Sequence, residues 1–300
     1  MNEAYQLDKR YLRRSFDRAA KTYDSAAGLQ REISTRMRER LQYIKHEPDW
    51  ILDAGAGTGI SGRPLLEAYP KAKVIALDIA FSMLKQGRAT GGNWKRFFPG
   101  LSGPKDYPLC ADVDFIPLKT SSMDMVWSNL SLQWSNNLSD TFAEIRRVLA
   151  PGGLLMFSTF GPDTLKELRQ AFGKLDGYTH TSQFADMHDI GDILINAGFA
   201  TPVMDMEHIT VTYADLKSLM RELKALGAHN ATQGRRHGMM GKTEWNALEE
   251  IYEAFRCDNR LPATFEVIYG HGWINDKKPA LTDGRQIIEF QIQQRKSGNR

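Results

Sequence analysis

Apolar positions along the chain follow two rhythms. Runs such as WILDA, KVIALD and GLLMFSTF are nearly unbroken, as in strands buried on both faces. Between them, longer stretches repeat apolar residues roughly every three to four positions, the stripe of a helix lying on a sheet. The pattern predicts strands at residues 50–54, 73–78, 109–113, 125–130, 154–160, 203–212 and 264–270. It predicts helices at 11–23, 28–43, 62–68, 82–87, 138–149, 164–172 and 187–197. Strands alternating with helices specify an α/β fold with a parallel sheet and crossover helices. A mostly polar helical stretch at 214–260 separates the last two strands and reads as an insertion, and the Gly/Pro-rich segment at 91–108 reads as a long surface loop.

Composition narrows the class. With 300 residues, 42% of them hydrophobic, the chain can bury one large core. A net charge of +3 is too small to imply nucleic acid. Cys110 and Cys257 are far apart and lack metal-ligand spacing, so neither a disulfide framework nor a metal site is expected, which fits a reducing cytoplasm. The N-terminus is charged throughout, and no run approaches the ~20 apolar residues of a membrane span.

Candidate chemistry begins after the first strand, in ILDAGAGTG, with glycine at 55, 57 and 59. Glycine lets the backbone turn sharply and approach a ligand closely, and the next helix offers free N–H groups, so a nucleotide-like ligand is expected. The dinucleotide fingerprint would need glycine where Ile60 stands, and a phosphate loop would need a lysine where Gly59 is followed by Ile60, Ser61, Gly62 and Arg63. The second strand ends at Asp78, 25 residues after Asp53, where a carboxylate can accept both hydroxyls of a ribose. A helix cap is the other use of an Asp there. Asp112 closes the third strand, where an acid can take an adenine amino group. Asn129, Gln133 and Trp134 follow strand four, at the carboxyl edge where open α/β sheets bind ligands. Phe16, Ala19, Ala20 and Tyr23 share one helix face, a pattern that fits core packing as well as a pocket wall. Trp94, Phe97 and Phe98 lie beside Lys95 and Arg96, too little charge for a nucleic-acid patch.

In their order these motifs resemble the class I S-adenosylmethionine-dependent methyltransferases over residues 49–160. The resemblance implies a doubly wound, mainly parallel seven-stranded sheet of Rossmann-like type, its last strand antiparallel. It implies S-adenosyl-L-methionine as cofactor, contacted by Asp53, Gly55, Gly57, Gly59, Asp78, Asp112 and Asn129, with Gly57 where a Cβ would crowd the methionine tail. SFDRAAKTYD, SNLSLQW, STFGPDTLKELRQAF, MHDIGDIL and YADLKSLMRELKALGAHN narrow the resemblance, over nearly the whole chain, to the malonyl-acyl-carrier-protein O-methyltransferases of biotin precursor synthesis. The loop at 91–108 is longer than in compact members of that group. The expected organisation is an N-terminal helical cap (1–48), a methyltransferase core (49–213), a helical lid (214–260) and a last strand with its tail (261–300).

The activity so implied is methyl transfer to the free carboxylate of a malonyl thioester on acyl carrier protein or coenzyme A. The partner is the carrier, not nucleic acid or membrane, and no metal takes part. A carboxylate is ionised near neutrality and needs no general base, but it must exchange water for cationic or hydrogen-bonding groups. The candidates are Tyr23, which in relatives closes over the cofactor, and the basic stretch HNATQGRRHG with His229, Arg235, Arg236 and His237. Carriers of this type are acidic, so docking faces are sought among Lys9, Arg10, Arg13, Arg14, Arg18 and Lys21, or Arg31, Arg36, Arg38 and Arg40 on the next helix. Three alternatives stay open: the arginine hydroxylases that assist complex I assembly, which share the first segment; a quinone-type small-molecule methyltransferase; and a non-catalytic cofactor-binding protein.

Overall fold

Seven strands form a single sheet: β1 (Trp50–Ala54), β2 (Lys73–Asp78), β3 (Asp106–Cys110), β4 (Met123–Asn129), β5 (Leu149–Phe160), β6 (Ala200–Tyr213) and β7 (Leu261–Trp273). Their order is β3-β2-β1-β4-β5-β7-β6, with β7 antiparallel to both neighbours and the other pairs parallel. This is a computed structural model, and it describes residues 3–90, 106–236, 238 and 240–275. The expectations for most of the 91–108 loop with Trp94, Lys95, Arg96, Phe97 and Phe98, for His237 and for the C-terminal tail lie outside these residues. Among the described residues no helix is long and apolar enough to cross a membrane.

Neighbouring residues of the central strands go to opposite cores. Ile51, Met125 and Leu154 face one side with Ile33 and Met37, while Leu52, Val126 and Leu155 face the other with Phe142 and Ile145. This explains the unbroken apolar runs, since helices cover both faces. The first face carries α3 (Gly28–Leu41), α4 (Gly62–Ala68) and α7 (Lys166–Gly173); the second carries α6 (Leu138–Val148) and α8 (Met187–Asn196). Helix α5 (Phe81–Thr90) packs beside β2. By contrast, β6 at the sheet edge alternates half-buried and exposed positions.

Two expectations shift. Strand three lies at Asp106–Cys110, earlier than 109–113, with Pro108 tolerated because β3 is an edge strand. Ala111 and Asp112 therefore leave the sheet at its carboxyl end. The helix expected at 11–23 is α1 (Lys9–Ala19), followed by the single turn α2 (Tyr23–Ala26). The Asp8 side chain caps α1 by accepting from Tyr11 N at 3.0 Å. At the break, the Thr22 hydroxyl donates to the carbonyls of Ala19 (3.0 Å) and Ala225 (2.9 Å), competing with helix continuation.

The second of those bonds joins the N-terminal cap to the insertion, which holds α9 (Leu216–Ala225) and α10 (Lys242–Glu253). Residues 6–8 also pair antiparallel with 231–233: Asp8 N donates to Ala231 O and Gln233 N to Gln6 O, both at 2.8 Å. Gly227 (φ +73°) approaches α1 so closely that a Cβ there would lie 2.9 Å from that of Ala19. The core holds this roof through Asn136, whose amide receives Leu7 N (2.7 Å) and donates to Leu7 O (3.1 Å), and through Asp17, which accepts Ser82 N at 2.8 Å.

Candidate active site

The chain runs outward through β1, β2 and β3 and returns to β4 on the other side of β1, a switch point whose carboxyl edge is open. A cavity sits there. Its floor is Gly55, Gly57, Asp78, Ile79, Ala111, Asp112, Asn129 and Leu130, and its roof comes from Lys9, Leu12, Phe16, Tyr23, Leu226 and Ala228. Phe16 meets Trp134 edge-on, with ring centroids 5.5 Å apart, closing one side.

The turn after β1 is built from left-handed glycines, with φ of +81° at Gly55, +56° at Gly57 and +82° at Gly59. Gly55 N and Ala56 N both donate to Leu77 O, at 2.8 and 2.9 Å, and Gly57 N donates to Asp78 Oδ2 at 2.9 Å. The three glycines are not equivalent. A Cβ on Gly55 would lie 2.0 Å from Ser131 Oγ, one on Gly57 would be in ordinary contact with the Tyr23 ring at 3.8 Å, and one on Gly59 would meet nothing within 4 Å. Within the protein the tight position is therefore 55, while Gly57 keeps open space on its cavity side and Gly59 does not line the cavity.

Asp78 is fixed from both sides, since its Oδ1 also accepts Ala80 N at 2.7 Å. Burial pushes its carboxyl up to about 6, although the two amide donors pull it back. Each oxygen keeps a lone pair for a ligand hydroxyl. Asp53 differs: it is 1% exposed, does not line the cavity, and its Oδ2 has no hydrogen-bond partner. Burial, with help from Asp106 and Asp78, lifts it to about 8, so it keeps its proton at neutral pH.

Asp112 lines the cavity, but Lys9, expected on a carrier-docking face, engages it instead. Lys9 Nζ lies 3.0 Å from Asp112 Oδ1 and 2.8 Å from Asp114 Oδ2, fastening α1 to the loop after β3. Asn129 also lines the cavity and spends both ends of its amide on the fold: Nδ2 donates to Gln30 O (3.0 Å) and Oδ1 accepts from Ser158 Oγ (2.9 Å). The next residue, Leu130, sits at φ +51°, a strained conformation for leucine that turns the chain out of β4. Tyr23 faces the cavity from α2, and burial together with Asp78 and Asp24 raises its hydroxyl pKa, so the phenol is a donor and not a base. Gln30, absent from the sequence expectations, completes the wall.

The structure does not bring the basic residues of the insertion to this cavity. Arg235 lies over the Tyr11 ring at 4.4 Å, donates to Thr232 O at 2.9 Å and reaches Asp8 at 3.4 Å. Arg236 pairs with Glu244 at 3.0 Å and Asp176 at 3.9 Å. His229 is half-buried, and burial, Arg18 and Lys224 lower its pKa, so it is neutral at pH 7. Arg235 ties the insertion to the cap and Arg236 is held by Glu244 and Asp176, so neither of these two charges is free for a ligand. Among the described lining residues, Lys9 is the only cation.

The glycine turn yields a direct comparison. Gly59→Ala carries only the backbone cost of a left-handed alanine, about 1–2 kcal/mol. Gly55→Ala must also displace Ser131, adding about 1–3 kcal/mol of overpacking. Urea denaturation should show the larger loss at 55, and equal losses would contradict the observed packing.

Comparisons with known proteins agree with this architecture. A methyltransferase domain family matches residues 52–157. The chain is 54% identical to a malonyl-acyl-carrier protein O-methyltransferase of Gallionella capsiferriformans, covering 96% of this chain and 98% of that one. It is 53% identical to the like-named protein of Laribacter hongkongensis, covering 97% and 98%. Among solved structures, Haemonchus contortus phosphoethanolamine N-methyltransferase 2, in complex with S-adenosyl-L-methionine, superposes with a TM-score of 0.52 at 13% identity, covering 87% of this chain and 57% of that one, which speaks for the fold alone. More than half of its residues coincide with those of such relatives along nearly its full length, so this chain belongs to the malonyl-acyl-carrier protein O-methyltransferase family.

Proposed function

We propose that the protein transfers the methyl group of S-adenosyl-L-methionine to the free carboxylate of malonyl-acyl carrier protein, giving the ester that primes the pimelate moiety of biotin. The observation that carries this reading is a roofed cavity at the switch point with a bare glycine turn, a fixed carboxylate at Asp78 and no free general base among its lining residues. When bound, the cofactor supplies an electrophilic methyl on a sulfonium. The cavity suits a nucleoside with a cationic tail: Asp78 offers acceptors to a ribose, and the turn between β1 and α4 presents no side chain. Orientation does most of the work, since holding reacting atoms in line contributes about 7–11 kcal/mol in well-placed systems. Tyr23 donates a hydroxyl towards an anionic acceptor, and the roof excludes water that would otherwise solvate the carboxylate.

The outer face of α1 supports an acidic partner. Arg10, Arg13, Arg14 and Arg18, with Lys21 just past the helix end, are exposed, and none forms an ion pair with a described residue. On α3, in contrast, Arg36, Arg38 and Arg40 pair with Glu207, Glu67 and Asp205, and Arg31 donates to Asp24 O. The carrier therefore docks on α1, directly over the cavity. Incubation with methyl-labelled cofactor should label malonyl-carrier protein. With Arg13→Glu/Arg14→Glu, or at half-molar salt, the KM for the carrier substrate should rise several-fold while cofactor affinity holds, because rim charges act on association and are screened. A KM indifferent to both would remove α1 as the docking face, and label appearing on a quinone precursor and not on the malonyl substrates would overturn the reaction itself.

Asp78 adds a pH signature. Its carboxyl titrates at about 6 in the free protein, and the ionised form is the better acceptor for ribose hydroxyls. Cofactor affinity should therefore fall as pH drops through 6, and calorimetry should find this dependence gone in Asp78→Asn. The same slope in the variant would mean that another group titrates.

A further inference from the structure

Gln30 is the third residue of α3, and its main-chain carbonyl is fixed by Asn129 Nδ2 at 3.0 Å. Its side chain lines the cavity, yet Oε1 is shielded from solvent and has no hydrogen-bond partner. A glutamine in the first turn of a surface helix ordinarily points its amide into water. Holding an acceptor dry and unpaired costs free energy, and such a group asks for a donor that arrives with the ligand.

The possible donors are few. Acceptors for a ribose and for an adenine amino group stand on the β2 and β3 side, at Asp78 and Asp112. Gln30 stands on the β4 side, its main chain held by Asn129, and lines the cavity together with Tyr23, Gly55 and Gly57. A malonyl thioester brings a carboxylate and a thioester carbonyl to the reacting end, both acceptors. The group that fits is the ammonium of an amino-acid tail. We propose that Gln30 Oε1 accepts a hydrogen bond from the α-ammonium of the cofactor's methionine part and so sets the direction in which its methyl points. This rests on the reading that S-adenosyl-L-methionine binds in this cavity. No cation lines the β4 side of the cavity among the described residues, so an ammonium there meets no repulsion.

The test uses two ligands that share the nucleoside. S-adenosylhomocysteine carries the ammonium, and methylthioadenosine lacks the amino-acid tail. In Gln30→Met, calorimetry should show about tenfold weaker binding of the first and unchanged binding of the second. Gln30→Glu, which keeps an acceptor at the same reach, should bind the first at least as well as the native protein. The melting temperature of ligand-free Gln30→Met should not fall, because the substitution removes an unpaired buried acceptor. Equal weakening of both ligands, or no weakening of either, would overturn the proposal. So would a Gln30→Glu variant with normal cofactor binding but a raised KM for malonyl-carrier protein, since the amide would then face the acceptor. Native protein that binds neither ligand would overturn the cofactor reading beneath it.

Discussion

The site depends on one short turn. Between β1 and α4 the chain reverses through three left-handed residues while Gly55 and Ala56 hang from the carbonyl of Leu77 and Gly57 from the carboxylate of Asp78. Those bonds tie the end of β1 to the end of β2, so the ligand floor and its principal acceptor are one object. Side chains are excluded for two separate reasons: at 55 because Ser131 occupies the space, and at all three because left-handed backbone penalises a Cβ. The turn has width to spare for a ligand because the fold could not have filled it.

A floor alone would leave the reaction in water, and the roof is made from segments far apart in sequence. The stretch before α1 pairs with the stretch after α9, Gly227 lets the two approach, and Arg235 bridges them through Asp8 and Tyr11. Lys9 then fastens the assembly to Asp112 and Asp114, and Asn136 grips Leu7. One charged contact thus both closes the cavity and occupies an acid of its lining. A half-buried ion pair loses hydration as it gains attraction, so its net contribution to stability is small. Its weight is positional, since it decides where α1 lies and hence where its unpaired arginines face.

How much of this could be read from sequence follows from range. The strand positions other than the third, the glycine turn and the Asp78 that ends β2 are local patterns and were legible, while the antiparallel last strand followed from the family resemblance. Tyr23 was legible as part of a stripe, although Thr22 places it on a separate turn. The partner of Asp112 was not, because Lys9 lies more than a hundred residues earlier and nothing in either segment marks the pair. Arg235 and Arg236 looked free for an anion because Asp8, Tyr11, Asp176 and Glu244 become their neighbours only in the fold, and His229 because its burial beside Arg18 and Lys224 is likewise set by the fold. Gln30 gave no signal at all: a helical glutamine is ordinary until its oxygen is found dry.

The chemistry rests on an acceptor that arrives already ionised, so that this cavity needs to orient and dehydrate but not to deprotonate. Its lining agrees, with a phenol held protonated at Tyr23, a carboxylate tied down by two amides at Asp78 and another paired with Lys9. The most direct measurement is the single-turnover rate of methyl transfer to malonyl-carrier protein at saturating cofactor from pH 6 to 8. A carboxylate acceptor predicts a nearly flat profile, whereas a rate rising about tenfold per pH unit would require a group that loses a proton before attack and would contradict an acceptor already ionised.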